Sequence, residues 1–182
     1  MRTQHWLGLV AALVAAAPLT VAAKDSKKTS DGTYTLKSDD FKANEELPKS
    51  ASCDGDGKSP ELHWTAPKSS KAKSYALIVE DPDASKGTYT HWVLFDIPSS
   101  TTKLPSGEAN IGLSGTNSAD KTGYAPACPP KGDKMHHYHF RLYALDVDKL
   151  GQKQGAARDD VENAMKSHTV GQTELIGTFQ RP

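Results

Sequence analysis

Two segments of this chain, Ser74 to Glu80 (Ser-Tyr-Ala-Leu-Ile-Val-Glu) and Trp92 to Ile97 (Trp-Val-Leu-Phe-Asp-Ile), are nearly continuous in apolar residues. Half-buried strands alternate apolar and polar positions, so uninterrupted runs of this length predict strands covered on both faces, in the middle of a sheet. Shorter stretches flank them. Thr33-Tyr34-Thr35-Leu36 combines β-branched and aromatic residues, which favour a pleated surface, and Glu61 to Trp64 is a second short strand bounded by Gly55, Gly57, Pro60 and Pro67. His137 to Leu145 and Thr173 to Thr178 complete the expected strands. Arg158 to Lys166, with apolar Val161, Ala164 and Met165 at spacings of three and four, has the period of a short amphipathic helix. Ser106 to Gly123 is rich in Gly, Ser and Asn and predicts a long loop, a kind of segment that often carries function on a rigid scaffold. The pattern is that of a mainly β protein with one short late helix and no internal repeat.

The N-terminus is patterned differently. Arg2 and His5 lead into an apolar run from Trp6 to Leu19, Val21-Ala22-Ala23 places small residues where a signal peptidase cuts, and Lys24-Asp25-Ser26-Lys27-Lys28 is polar again. This is the layout of a secretory signal peptide over residues 1–23. The run is also shorter than the roughly 20 apolar residues that span a bilayer. The mature chain is therefore expected to be exported to the periplasm or the cell exterior, without a transmembrane segment. Residues 24–40 make a polar lead-in and the first strand, and 41–182 make the body of one domain, long enough for its own core. Basic and acidic side chains number 22 each, and loss of Arg2 with the signal leaves 21 against 22. No basic face is implied, so nucleic acid is not an expected partner. Two cysteines, Cys53 and Cys128, are too few for a four-thiolate zinc site; in an oxidising compartment they can make one intramolecular bridge, the alternative being two separate buried thiols. The export signal and the absence of any other thiol favour a Cys53–Cys128 disulfide.

Strand alternation places the candidate chemistry at strand ends. Tyr75, Leu77, Val79 and Asp81 share one face, which leaves Asp81 where that strand runs out of the sheet. Only Pro82 to Thr90 separates it from His91, so in neighbouring strands the two lie near one rim. In the later strand His136, Tyr138, Phe140 and Leu142 share a face, polar at the start and apolar deeper in, as in a pocket with a polar mouth and an apolar floor. His137, His139 and Arg141 share the other face. Just upstream, Cys128-Pro129-Pro130-Lys131-Gly132 is a stiff turn, because two prolines fix φ and remove two backbone donors.

Imidazoles and a phenol offer hydrogen-bond donors to a small anion without leaving an unpaired buried charge when the site is empty. A carboxylate at Asp81 repels an anion that it faces, so its expected role is to orient an imidazole or to meet a positive group on the ligand. Asp83 reads as a turn-former whose carboxylate accepts backbone N–H bonds, and Lys131 as a solvated lysine. The pair His137 and His139 suits a metal by type, but no third ligand is identifiable by spacing, so a metal-binding protein is a weaker alternative and no metal or cofactor is assigned. A hydrolase using an Asp81/His91 pair is the other alternative. No Gly-x-Ser-x-Gly elbow is present and Ser85, Ser114 and Ser118 carry no motif, so no catalytic residue is assigned.

Several motifs follow one another in order: Cys53-Asp54-Gly55 with Ser59-Pro60-Glu61-Leu62-His63-Trp64, Asp81-Pro82-Asp83-Ala84, His91-Trp92-Val93-Leu94-Phe95-Asp96-Ile97-Pro98, Cys128-Pro129-Pro130-Lys131-Gly132, and His136-His137-Tyr138-His139-Phe140. Together, from about Phe41 to Phe179, they resemble the phosphatidylethanolamine-binding protein family, and most closely its bacterial Raf-kinase-inhibitor-like branch. The resemblance implies a β-sandwich with a small pocket that accepts phosphate or a phospholipid head group. The pocket residues it implies here are Asp81, His91, Pro129, His136 and Tyr138. It further implies a binding protein rather than an enzyme, with a phosphate-bearing small molecule or a phospholipid head group as partner. Because relatives inhibit kinases or proteases, a modulating role toward a protein partner is implied as well. Ser85 stands where the family commonly has proline, and Tyr124-Ala125-Pro126-Ala127 where a more glycine-rich stretch is usual.

Overall fold

The computed structural model describes residues 32–107 and 110–182, and the signal peptide expected over residues 1–23 lies outside them. β3 (Ser74–Asp81) is buried at every position, and this sets the architecture. A strand closed to water on both faces has to place its N–H and C=O groups in ladders. β3 does so antiparallel, between β4 (Tyr89–Pro98) and β7 (His136–Leu145). β6 (Leu113–Ser114) and β8 (Thr169–Phe179) extend this sheet to five strands in the order β6-β4-β3-β7-β8. β1 (Thr35–Lys37), β2 (Leu62–Thr65) and β5 (Lys103–Leu104) make a second, three-stranded antiparallel sheet in the order β1-β2-β5.

The two sheets form a sandwich. Leu36, Leu62, Trp64 and Leu104 of the small sheet share one buried cluster with Leu77, Val79, Leu94, Phe140 and Leu142 of the large one. The opposite face of the large sheet is covered by α1 (Arg158–Met165). Its Val161 and Met165, one turn apart, join Ala76, Ile78, Val93 and Phe95 in a second cluster. Glu80 on β3 receives Arg141 at 2.7 Å and Arg158, at the start of α1, at 2.8 Å, which ties the helix to the strand it covers. The strands expected from apolar continuity are thus the central pair, with a core on each side.

Element ends differ from the sequence expectation in both directions: β1 begins at Thr35 rather than Thr33 and β2 at Leu62 rather than Glu61, whereas two later strands are longer. β4 begins at Tyr89 rather than Trp92, and β8 begins at Thr169 rather than Thr173. Backbone pairing continues after side chains cease to be apolar, and β8 is an edge strand whose first half is largely open to solvent. The loop expected over Ser106 to Gly123 contains β6, whose pairing with Leu94 and Phe95 is imposed by its neighbour. β1 pairs residue for residue with β2, so the stretch before Phe41 carries a strand of the sandwich itself.

Two irregularities in the β3–β4 ladder decide which side chains face inward. Tyr75 pairs with Ile97 and Leu77 with Leu94, so β4 holds one residue more than β3 over this interval. Asp96 lies there with φ 54°, and its Oδ1 accepts the Leu150 N–H at 2.8 Å. The change of phase returns Ile97 to the same cluster as Trp92 and Leu94. Further along, Val79 pairs with Trp92 and Glu80 with Thr90, which leaves His91 as the extra residue of a second bulge. Ser118 supports this bulge from the neighbouring loop. Its N–H donates to Thr90 O at 2.9 Å, and its Oγ accepts the Thr90 N–H at 2.8 Å.

Cys53 and Cys128 are joined by a disulfide, with Cα atoms 5.3 Å apart and 75 positions between them in sequence. Closing a loop of this size stabilises the native state by about 4 kcal/mol in the chain-entropy model. Among the described residues no helix is long and apolar enough to cross a membrane.

Gly177 faces Tyr138 in the β7–β8 ladder, and a Cβ there would collide with Leu47 Cδ2 and approach Phe41 Cε2 to 2.9 Å. Leu47 cannot step back freely, because its N–H donates to Thr178 O at 2.8 Å. Gly177→Ala is therefore expected to destabilise the protein by about 1–3 kcal/mol. Urea denaturation checks this: a lowered midpoint with an unchanged slope is the expected result, and a wild-type midpoint would mean that Phe41 and Leu47 do not pack on β8.

Candidate functional site

At one rim of the large sheet Asp81 ends β3, His91 occupies the bulge of β4, and His136 and Tyr138 begin β7. They surround a cavity of about 180 Å³, whose wall is completed by Ala84, Ser85, Tyr89, Pro126, Cys128, Pro129 and Pro130. The residues expected to share a pocket, Asp81, His91, Pro129, His136 and Tyr138, all line it. One detail differs from the expectation. Phe140 and Leu142 belong to the core between the sheets rather than to the cavity, and its apolar surface comes from Ala84 and the three prolines.

The two imidazoles are held in different ways. His136 Nδ1 donates to Asp81 Oδ2 at 2.6 Å, and its Nε2 lies 3.5 Å from Asp133 Oδ2. The other Asp81 oxygen accepts the Asp83 N–H at 2.8 Å, which fixes the carboxylate. Burial opposes a charge on His136, but the hydrogen bond and charge of Asp81, reinforced by Asp133, more than offset it and raise its pKa above the usual imidazole value. His91 Nδ1 donates to Ala125 O at 2.8 Å. Burial holds its pKa below the usual value, and the Ala125 carbonyl and the Asp81 charge offset this only in part. The neutral ring of His91, protonated on Nδ1, presents a bare lone pair at Nε2.

Two buried polar atoms at this cavity, His91 Nε2 and Tyr138 Oη, have no hydrogen-bond partner among the described residues. Leaving such an atom unsatisfied costs about 1–3 kcal/mol, a cost that a hydrogen-bonding group in the cavity offsets. Burial, followed by the Asp81 charge, pushes the Tyr138 phenol up, so that it remains a neutral O–H donor. Its ring stands edge-on to His91, with centroids 5.1 Å apart, while Tyr89 lies against the same imidazole at 4.7 Å.

The Asp81/His91 pair of the hydrolase alternative is not formed: Asp81 takes His136, because the bulge turns His91 toward Ala125. Neither imidazole is hydrogen-bonded to a hydroxyl. His137 and His139 are drawn to separate carboxylates, His137 Nδ1 to Asp83 at 2.7 Å and His139 Nδ1 to Glu174 at 2.9 Å. Asp83 also accepts the His137 N–H at 3.0 Å and the Lys134 ammonium at 2.9 Å, and the His137 and Lys134 hydrogen bonds hold its carboxyl well below the usual range. Among the described residues, one group of metal-ligand type lies close together, Asp39, Glu61 and His63. The Lys103 ammonium already sits 3.0 Å from Glu61 and 3.8 Å from Asp39.

Sequence reasoning did not single out Tyr89, Asp133 or Arg181. Tyr89 shares the alternation of His91, and Asp133 lies three residues before His136, so both left a local signal. Arg181 left none. From the far end of the chain it makes bonds of 2.8–3.1 Å to the Asp54 carboxylate, donates to Pro129 O at 3.3 Å, and accepts the Gly132 N–H on its own carbonyl at 2.8 Å. The long loop expected to carry function does not line the cavity; it acts from behind, through Ser118.

Residues 37–180 match the model of a family described as phosphatidylethanolamine-binding protein. A UPF0098 protein of Aquifex aeolicus is 42% identical over 147 residues, covering 78% of this chain and 85% of the relative. A Mycobacterium tuberculosis protein that carries the name lipoprotein LppC is 36% identical, covering 80% of this chain and 72% of its own. Among solved structures, a phosphatidylethanolamine-binding protein homolog from Chlamydia trachomatis matches with a TM-score of 0.76 at 36% identity, over 82% of this chain and 99% of that one. YbcL of E. coli, described as a member of the mammalian family, has the same TM-score of 0.76 at 28% identity, over 83% of this chain and 100% of its own.

A histidine whose folded pKa is raised adds stability that is full below its unfolded value, near 6.5, and is lost as pH rises through the folded value. Asp81→Asn is expected to lower the His136 pKa and to cost about 3 kcal/mol at pH 6, with a smaller difference at pH 9. NMR titration of the His136 ring with denaturation at both pH values tests this; a His136 titration unchanged by the substitution would exclude Asp81 as its partner.

Proposed function

This chain belongs to the phosphatidylethanolamine-binding protein family, and on that premise we propose that it is an exported binding protein whose pocket takes phosphate or a phospholipid head group without turning it over. The observation that carries this reading is the pair of buried atoms without a partner among the described residues, His91 Nε2 and Tyr138 Oη, beside an imidazole whose charged form Asp81 favours. A phosphate satisfies all three. It accepts the Tyr138 O–H and the His136 N–H⁺, and it shares a proton with His91 Nε2. Pro129 and Pro130 close one side without offering backbone donors that compete for the ligand's oxygens. Asp81 acts through His136 rather than on the ligand, and the half-exposed Asp133 is left to meet the ammonium of an ethanolamine-like group.

Binding rather than turnover is supported by the partners of the two imidazoles, which are carboxylates and a carbonyl instead of a nucleophile. Export is supported by the N-terminal pattern, by the disulfide, and by the lipoprotein name of one relative.

The proton shared with His91 sets the pH dependence. In the free protein the ring is neutral at pH 7 and its lone pair repels a phosphate dianion, so one proton is taken up on binding, either at Nε2 or on a phosphate oxygen. Affinity for inorganic phosphate is therefore expected to rise as pH falls from 8, by up to about tenfold per unit, and to level off once the pH passes below the second ionisation of the free phosphate. His91→Ala and His136→Ala are each expected to weaken binding by roughly tenfold or more, the loss of one charge-assisted hydrogen bond of about 1.5–3 kcal/mol. Calorimetric titration of phosphate at two pH values, in buffers of different ionisation enthalpy, measures both the affinity and the proton count. Unchanged affinity in both folded variants would move the site elsewhere.

A further inference from the structure

The disulfide is part of the cavity wall. Cys128 lines the cavity together with Pro126, Pro129 and Pro130, and both Cys53 and Cys128 are exposed to solvent. The wall has few other ties. Ala127 N–H donates to Ala51 O at 3.1 Å on one side and Gly132 N–H donates to Arg181 O at 2.8 Å on the other, and between them the two prolines have no N–H to donate. The disulfide and the Arg181 side chain are what pin Cys128 and Pro129.

Charge around the bond is asymmetric. Arg181 uses Nε and Nη2 on Asp54, which leaves Nη1 to Pro129 O at 3.3 Å and to Cys128 Sγ at 3.6 Å. Lys49 and Lys131 add positive charge close enough to act on Asp54, the carboxylate beside Cys53. An approaching thiolate is drawn to such a surface, and in thiol–disulfide exchange the sulfur better stabilised as an anion is the one that leaves. Exposed disulfides are also the labile ones.

We propose that the Cys53–Cys128 bond is a thiol-exchange site, at which a low-molecular-weight thiol attacks Cys53 and Cys128 leaves as a thiolate held by Arg181. In the step, RS⁻ forms a bond to Cys53 Sγ, the Sγ–Sγ bond breaks, and its electron pair leaves on Cys128. A monothiol remains as a mixed disulfide on Cys53. A dithiol goes on to attack its own sulfur of that mixed disulfide, releasing the Cys53 thiolate and departing oxidised. In either case the Cys128–Pro130 wall loses its covalent tie, so the thiol state of the surroundings governs the shape of the cavity. Any effect on ligand affinity rests on the head-group reading above; the exchange itself does not.

The test treats the folded, oxidised protein with glutathione, quenches with iodoacetamide, and maps both modifications by peptide mass spectrometry without reduction. Glutathione on Cys53 and carbamidomethyl on Cys128 are expected, in excess of the opposite arrangement by about tenfold. Arg181→Ala is expected to slow the exchange several-fold and to even out the two arrangements, while Arg181→Lys, which keeps the charge, preserves the preference for Cys53. Faster amide exchange at Ala127 and Gly132 in the adduct than in the oxidised protein would report the freed wall. Equal modification of both cysteines in the wild type, or no adduct on the folded protein while the denatured protein reacts, would overturn the proposal. A protein that exchanges in this way but binds no phosphate in its oxidised form would leave the exchange site standing and remove the head-group reading.

Discussion

Burial of β3 on both faces is the constraint from which the rest of the structure follows. With the sandwich core on one side and α1 on the other, its backbone has no route to water, and only complete pairing with β4 and β7 satisfies it. That pairing fixes the register of three strands at once and carries their ends to a common rim. Asp81, His91, His136 and Tyr138 are far apart in sequence and adjacent in space for this reason. The departures from regular pairing matter equally. The extra residue at His91 breaks the alternation of β4, so that His91 and Trp92, consecutive in sequence, both serve the inner face, one in the cavity and one in the core.

Within the cavity, one residue type does two different things because its surroundings differ. His136 has a carboxylate at 2.6 Å, which favours its cationic form, whereas His91 has a backbone carbonyl at 2.8 Å and burial favours its neutral form. For the proposed anion-binding role, the pair combines an imidazole biased toward its cation with a neighbour that can take up a proton. Asp81, a poor direct partner for an anion, contributes by setting the charge and tautomer of His136. The neutral Tyr138 hydroxyl adds a donor that carries no charge to be desolvated when the site is empty.

The remaining wall is assembled from pieces that share no strand. Two prolines stiffen it and deprive it of donors, so its position depends on ties to remote parts of the chain: Cys53 through a covalent bond, and Arg181 through its guanidinium and its carbonyl. The concentration of covalent and ionic ties at one side of the cavity contrasts with the other side, where continuous ladders of β3 and β7 give support that no single residue controls.

Much of the fold was legible in the sequence because its signals are local. Continuous apolar runs at Ser74 to Glu80 and Trp92 to Ile97 mark strands covered twice, the spacing of Val161 and Met165 marks the helix, and counting by twos from Asp81 and His136 placed their side chains on the correct faces. The resemblance carried by the ordered motifs likewise named Asp81, His91, Pro129, His136 and Tyr138, which line the cavity. What the sequence by itself could not determine was every feature that depends on register or on a distant partner. A bulge leaves no mark in composition, so nothing in the sequence said that His91 would turn to Ala125 and leave Asp81 to His136. Edge pairing carries β8 beyond its apolar residues, and Arg181 finds Asp54 from 127 positions away. Side-chain type and periodicity are properties of a segment and can be read along the chain. Which imidazole is charged, and which is left with an open lone pair, depends on distances of a few ångströms between segments, and only the tertiary structure sets those.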